Sequence, residues 1–101
     1  MTDDLLARVT KLEAERDILR TLYTYAHSID LGDEEGWADC FAQDGAFETI
    51  PRFEGYEPYR IVGRERLQDF VSHHTRPPGL WHKHLLIEPI IEVDGDHASV
   101  K

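Results

Sequence analysis

Residues 16–49, RDILRTLYTYAHSIDLGDEEGWADCFAQDGAFET, combine an amphipathic segment, two turn signals and the start of a strand. The apolar residues before the first turn follow helical spacing, and with the preceding residues they predict a first helix over residues 2–30. Leu31-Gly32 ends this helix, and Asp33 fits the N-cap of a short second helix. We expect the buried face of the second helix to consist of Trp37, Cys40 and Phe41.

Further turn signals divide the rest of the chain into short elements. Gly63 precedes an amphipathic pattern that predicts a third helix over residues 64–73, and Asp94-Gly95 is a strong hairpin signal. The predicted strands cover residues 46–50, 59–62, 80–93 and 98–101. Helices at the front of the chain with antiparallel pairing behind them indicate an α+β fold.

Composition and charge exclude several classes of protein. The 101 residues fit one domain, and 20 acidic residues against 11 basic ones give a net charge of −9, which argues against nucleic acid or an anionic membrane as a partner. A single cysteine, Cys40, excludes an internal disulfide framework. No apolar run approaches a membrane span, and the acidic N-terminus does not resemble a signal peptide, so we expect a cytoplasmic protein.

Asp30 occupies an unusual position on the first helix. At 100° per residue it lies about 20° from Leu19, inside the apolar stripe. A carboxylate that is buried there must be hydrogen-bonded, ion-paired or protonated, which is typical of an acid–base group or of a residue that orients a histidine. The alternative is that the helix ends at Asp30 and leaves its side chain solvated.

Two histidines lie near the start of the long predicted strand, in LWHKHLLIEP (residues 80–89). On a strand, His82 and His84 share one face, and either is a candidate proton carrier unless both are surface residues. With Glu88 they match part of the first cupin motif, which would indicate a metal site. Arg76 stands where that motif requires its leading glycine, and the second motif is absent, so we expect no metal and keep a metal site through these residues as the less favoured alternative.

The remaining polar candidates are less distinctive. Tyr25, at the edge of the apolar stripe, is either a hydrogen-bond donor in a cavity or an ordinary amphipathic tyrosine at a helix rim. We interpret three further histidines as solvated surface residues: His73, His74 and His97.

Three segments together resemble the SnoaL-like branch of the nuclear transport factor 2-like superfamily, which includes scytalone dehydratase and bile acid 7α-dehydratase. They are residues 16–49, residues 62–71 (VGRERLQDFV) and residues 82–100 (HKHLLIEPIIEVDGDHASV). The resemblance implies a cone-shaped, curved, mixed but largely antiparallel sheet around helices, with an apolar pocket inside. It also implies a catalytic set of Tyr25, Asp30 and His84, in which His84 is preferred to His82 because of its spacing to the hairpin signal.

The activity implied by this resemblance is that of a cofactor-free lyase or isomerase, dehydratase-like, on a small hydrophobic molecule of polyketide or steroid type. The alternative is a non-catalytic ligand-binding or subunit-like domain of the same fold. Relatives form dimers or trimers, so we expect a homo-oligomer. Relatives also continue beyond the fourth strand, so we expect residues 1–101 to form a single domain that is incomplete at its C-terminus. Candidate substrate-binding residues are Trp37, Phe41, Phe53 and Leu86.

Overall fold

The computed structural model describes residues 2–101, and within them helices are followed by short antiparallel strand pairs, which confirms the α+β class. No helix among these residues combines the length and the apolar character that a membrane span requires. The elements in chain order are α1 (Asp3–Leu31), α2 (Glu34–Ala38), β1 (Ala46–Glu48), β2 (Arg60–Val62), α3 (Arg64–Ser72), β3 (Ile91–Asp94) and β4 (His97–Val100).

Both ends of α1 have capping groups, and the C-terminal one is the glycine that the sequence predicted. The Thr2 side chain accepts a hydrogen bond from the backbone N–H three residues later, at 3.1 Å, and two aspartates follow at the positive end of the helix dipole. At the other end Gly32 adopts a left-handed conformation with φ of 78°, and its N–H donates to the Ser28 carbonyl. Asp33 then caps α2 through a 3.0 Å bond from the Gly36 N–H.

The strands form two antiparallel pairs. In the first pair Phe47 of β1 lies opposite Ile61 of β2, and an exposed ion pair joins the neighbouring Glu48 and Arg60. In the second pair β3 and β4 are joined through the predicted turn at Gly95, whose φ is 60°. α3 follows β2 directly in the chain and packs against it.

The long strand predicted over residues 80–93 is wrong for most of its length, because only Ile91–Asp94 is a strand. A strand persists only where its backbone groups are paired, and among residues 2–101 the ladder to β4 extends back only to Ile90, which exchanges two hydrogen bonds with Lys101. Pro89 has no N–H to donate, and Glu88 before it has a positive φ of 50°. Residues 80–89 therefore run without regular structure between α3 and β3.

The hydrophobic core lies where the end of α1 meets α2 and α3. Trp37 has no exposed surface, as predicted. Cys40 and Phe41 were predicted on the same helix, but α2 ends at Ala38 and both residues lie half-buried in the turn that follows it. The predicted stripe of α1 is buried only in its last turns, since Leu12 and Tyr23 are largely exposed. The fully buried apolar cluster consists of Ile29, Trp37, Leu67 and Val71, with Tyr25, Phe41, Phe47, Ile61 and Phe70 packed around it.

Candidate functional site

Asp30 lies in the last turn of α1, with its side chain 5% exposed. Two features of this position disfavour a negative charge: burial removes the carboxylate from water, and the C-terminal end of a helix carries the negative end of its dipole. The α1 sequence supplies no basic residue in that last turn. The carboxylate must therefore be stabilised by donors from another part of the chain.

Both donors come from His84, 54 residues further along the chain. The His84 backbone N–H donates to Asp30 Oδ2 at 2.9 Å, and its ring Nδ1–H donates to Asp30 Oδ1. Burial by itself raises the pKa of Asp30, but the two hydrogen bonds and the charge of His84 outweigh it and leave the pKa below that of an ordinary aspartate. Asp30 is therefore ionised at neutral pH. Its two oxygens bind the main chain and the side chain of His84, which lies in the irregular segment of residues 80–89.

This pairing fixes the tautomer of the His84 ring. Because an ionised carboxylate only accepts hydrogen bonds, Nδ1 carries the hydrogen and the neutral ring keeps its lone pair on Nε2. Nε2 makes no hydrogen bond within residues 2–101, and 42% of the side chain is exposed. Nε2 can therefore act as an oriented base toward a molecule that binds next to it.

Two more imidazoles lie beside His84. His82 contacts the Thr75 hydroxyl through Nε2, so its Nε2 is already engaged. The ring of His74 lies 5.0 Å from that of His82 and 6.2 Å from that of His84, measured between centroids. The prediction that His74 is a solvated surface residue is wrong, because the turn after α3 folds it, half-buried, against the other two rings. Helical periodicity contained no signal for this contact.

A groove of about 870 Å³ opens next to these histidines. It is lined by apolar side chains, by charged side chains of α3 and by the residues that follow α3: Tyr59, Ile61, Phe70, Glu65, Arg66, Asp69, His73, His74 and Thr75. This volume is within the range of small-molecule sites. Of His74, His82 and His84, only His74 is among the residues that line this groove.

Tyr25 contacts the aromatic core. Its ring lies 5.7 Å from that of Trp37 and 6.1 Å from that of Phe41. Burial raises the pKa of the Tyr25 phenol, and the neighbouring Trp37 indole N–H offsets only part of that rise, so the phenol stays protonated at neutral pH. The Trp37 N–H is itself buried and makes no hydrogen bond of normal geometry within residues 2–101.

The four predicted substrate-binding residues are placed very differently from one another. Trp37 is enclosed in the core and offers a ligand no accessible surface, whereas Phe41 is half-buried against it. Phe53 lies in the loop before β2, is 67% exposed and packs edge-on against Tyr56. Leu86 is half-buried in the segment that follows His84. The structure does not bring these four side chains together into one pocket.

The metal interpretation of the histidines has no support in the geometry. Among residues 2–101, no three His, Cys, Asp or Glu side chains are arranged so that they would hold a metal ion. His82, His84 and Glu88 thus do not form a ligand set, and the backbone turn at Glu88 removes the strand register on which that motif depended.

Arg76 is a residue whose role the sequence did not indicate. Its Nη1 donates to the Gly32 carbonyl at 3.2 Å and to Glu34 Oε2 at 2.8 Å, while Nη2 donates to the Val71 carbonyl at 3.1 Å. One guanidinium therefore satisfies backbone carbonyls at the ends of both α1 and α3. It also fixes the start of the segment that carries His82 and His84.

Comparison with known proteins agrees with the resemblance drawn from the sequence. No curated protein matches the chain closely. The sequence profile of the SnoaL-like domain matches residues 10–101, which include both members of the Asp30–His84 pair. Because this match covers most of the chain, the protein belongs to the SnoaL-like domain family of the nuclear transport factor 2-like superfamily.

Proposed function

We propose that the chain is a cofactor-free lyase or isomerase, dehydratase-like, that acts on a small hydrophobic molecule of polyketide or steroid type. The observation that carries this proposal is the pairing of buried Asp30 with His84. In the proposed reaction, His84 Nε2 removes a proton from a carbon next to an activating group. Asp30 holds the ring in the required tautomer and stabilises the imidazolium that forms.

Tyr25 is the proposed hydrogen-bond donor to the carbonyl oxygen on which negative charge develops. The support for this role is the family resemblance, and the phenol is protonated at neutral pH, so its O–H can donate. A neutral donor in a partly desolvated site stabilises developing charge more strongly than water does. The electron pair left on carbon then either expels a leaving group, which is elimination, or takes a proton at another carbon, which is isomerisation.

A general probe of an oriented base tests the proposal before the substrate is known. 5-Nitrobenzisoxazole loses its C–H proton to a base, its N–O bond breaks, and the coloured nitrophenolate that forms is followed by absorbance. We expect His84→Gln to lower kcat/KM by about 100-fold or more, the usual contribution of a general base. Asp30→Asn should also lower it, while His97→Gln, on the exposed hairpin, should leave it unchanged.

Two results would contradict the proposed base. One is a wild-type rate no higher than that of His84→Gln. The other is equal turnover in Asp30→Asn and wild type with both proteins folded. In either case His84 would not be acting as a base that Asp30 orients.

A non-catalytic ligand-binding or subunit-like domain is the second candidate. The observation that favours it is the 42% exposure of the His84 side chain, since a general base usually works in a site from which water is excluded. A fluorescent apolar ligand such as anilinonaphthalene sulfonate distinguishes the two candidates. Saturable binding with no His84-dependent turnover of the benzisoxazole would support this second function.

A further inference from the structure

The chain that leads from α3 to His84 has no regular structure and is held at alternate residues. Among residues 2–101 no strand pairs with residues 80–84. Three residues of this segment make hydrogen bonds to other parts of the chain: Leu80, His82 and His84. The two residues between them, Trp81 and Lys83, are exposed. The segment is therefore held along one side only, and its position depends on a small number of hydrogen bonds.

Thr75 and Arg76 connect this segment with the end of α1. The Arg76 side chain donates to the Gly32 carbonyl at 3.2 Å, two residues beyond the carboxylate of the candidate pair. The hydroxyl of Thr75, the residue before Arg76, is hydrogen-bonded to Nε2 of His82, two residues before the base of that pair. These contacts form a closed series, whose members in order are Asp30, Gly32, Arg76, Thr75, His82 and His84.

This closed series restricts the His84 ring more than the contact with Asp30 can by itself. Fixing the backbone of one residue costs free energy comparable with the net contribution of one hydrogen bond, so bonds at a single residue do not order an irregular segment. His82 lies only about 7 Å before His84 along an extended backbone. A bond at His82 therefore limits how far the backbone can rotate at His84, and with it the direction of Nε2.

We propose that Thr75 is a positioning residue for the base of the proposed reaction: through His82 it holds His84 so that Nε2 stays directed toward the substrate. The inference rests on the proposed function and deepens it, since it names what orients the base besides Asp30. Thr75 is exposed, and substitutions at exposed positions usually change global stability little. Loss of its hydroxyl should therefore affect the segment that carries His84 rather than the whole fold.

Thr75→Val and Thr75→Ser are the matched pair of variants. Valine keeps the branched shape and removes the hydroxyl, whereas serine keeps the hydroxyl. We expect Thr75→Val to lower kcat/KM for 5-nitrobenzisoxazole about tenfold, mainly in kcat, which is less than the roughly hundredfold loss that a misplacement of about 1 Å can cause. Thr75→Ser should restore most of the rate. Thr21→Val removes an exposed hydroxyl that donates to a carbonyl on α1 at 3.2 Å, and should leave the rate unchanged.

Amide hydrogen exchange at His84 tests the positioning without a substrate. The His84 N–H donates to Asp30 Oδ2, so its exchange rate reports how often that bond opens. We expect this amide to exchange about tenfold faster in Thr75→Val, because local opening becomes easier. The Leu67 N–H, which donates to the Gly63 carbonyl at 3.0 Å, should keep its wild-type rate. A purely structural role of Thr75 would accelerate both amides.

A double-mutant cycle tests whether Thr75 acts through His82. His82→Phe keeps a ring beside His74, whose centroid is 5.0 Å away, but has no Nε2. If the two residues act as one contact, the double variant should lose no more activity than either single variant. Losses that multiply would overturn the inference. So would a Thr75→Ser variant as slow as Thr75→Val, or wild-type turnover and wild-type His84 exchange in Thr75→Val.

The outcomes also separate this inference from the proposed function. If His84→Gln retains the wild-type rate, the proposed function fails, and exchange of the His84 amide still decides whether Thr75 holds the segment. If His84→Gln loses the rate while Thr75→Val keeps both the rate and the slow exchange, His84 remains the base and Thr75 does not position it.

Discussion

At the scale of single residues, Asp30 accepts two different hydrogen bonds from His84. One carboxylate oxygen accepts from a main-chain N–H and the other from a ring N–H, so both oxygens must be acceptors. An asparagine at this position has only one acceptor oxygen, and its NH₂ group would face one of the two donors. The exposed Asp96–His97 pair shows the same ring contact without burial, at 2.7 Å.

We therefore expect Asp30→Asn to lower the free energy of unfolding by about 1–3 kcal/mol, the usual penalty for a buried polar group without its partner. Urea unfolding followed by circular dichroism measures this change. Asp96→Asn is the matched control, because that exposed contact is solvated and its removal should not be measurable. Equal effects of the two substitutions would mean that the Asp30 contact does not stabilise the fold.

The lowered pKa of Asp30 also predicts how stability depends on pH. A carboxyl whose pKa is lower in the folded state stabilises the fold above the unfolded-state pKa, which is about 4, and loses that contribution as the pH falls through the folded-state pKa. The difference in unfolding free energy between wild type and Asp30→Asn should therefore be largest near neutral pH and shrink below about pH 4. A difference that grows on acidification would contradict the assigned direction of the shift.

At the scale of elements, the helix ends rather than the helix faces determine where the catalytic candidates lie. α1 ends one residue beyond Asp30, and the left-handed Gly32 then turns the chain toward α2. A Cβ at Gly32 would lie 2.8 Å from Cδ of Arg76, so a larger residue at this turn would collide with the Arg76 side chain. The turn at Gly32 is thus connected to Arg76 by hydrogen bonds, and Asp30 just before that turn is hydrogen-bonded to His84.

Gly32→Ala should destabilise the protein by more than the roughly 1–2 kcal/mol that a left-handed backbone costs a residue with a Cβ. Gly55→Ala is the matched control, since Gly55 has a similar φ of 89° but no atom among the described residues within 4 Å of the position that the added methyl group would occupy. Thermal or urea unfolding of both variants separates the backbone penalty from the contact with Arg76. Equal losses would show that the side chain of Arg76 moves aside without penalty.

Arg76→Ala should lower stability by about 1–3 kcal/mol, since charged hydrogen bonds to partly buried groups contribute in that range. Arg76→Lys should recover only part of the loss, because one ammonium cannot reach carbonyls on two helices in the way that a planar guanidinium does. The exposed Arg60–Glu48 pair supplies the control, and Arg60→Ala should have little effect. Full stability in Arg76→Lys would mean that charge alone accounts for the contacts.

At the scale of the whole molecule, sequence patterns predicted the elements well where local chemistry decides them. The end of α1 at Gly32, the Asp33 cap of α2, the helix α3 and the hairpin at Gly95 all follow from turn residues and helical spacing. Residues 80–89 were predicted wrongly because an apolar run indicates burial or pairing but does not supply the partner. The Asp30–His84 contact spans 54 residues, so periodicity identified only one oddly placed carboxylate and the family resemblance supplied its partner.

Self-association is a further proposal at this scale. The first half of α1 exposes Leu5, Leu6 and Leu12, and a dimer or trimer that covers them would remove this apolar surface from water. Leu12→Glu should then shift the protein toward the monomer in sedimentation equilibrium, whereas Ile50→Glu, also at a highly exposed position, should not. A wild-type protein that is monomeric at all concentrations would contradict the proposal.

Asp30 holds His84 with its hydrogen on Nδ1 and its lone pair on Nε2, and this tautomer can be measured. Two-bond ¹H–¹⁵N correlation spectra of histidine-labelled protein at about pH 8, where an ordinary imidazole is neutral, report the tautomer of each ring directly. We predict that His84 is the Nδ1–H tautomer in the wild type and loses that preference in Asp30→Ala. An Nε2–H tautomer in the wild type, or the same spectrum in both proteins, would contradict the pairing of Asp30 with His84 Nδ1.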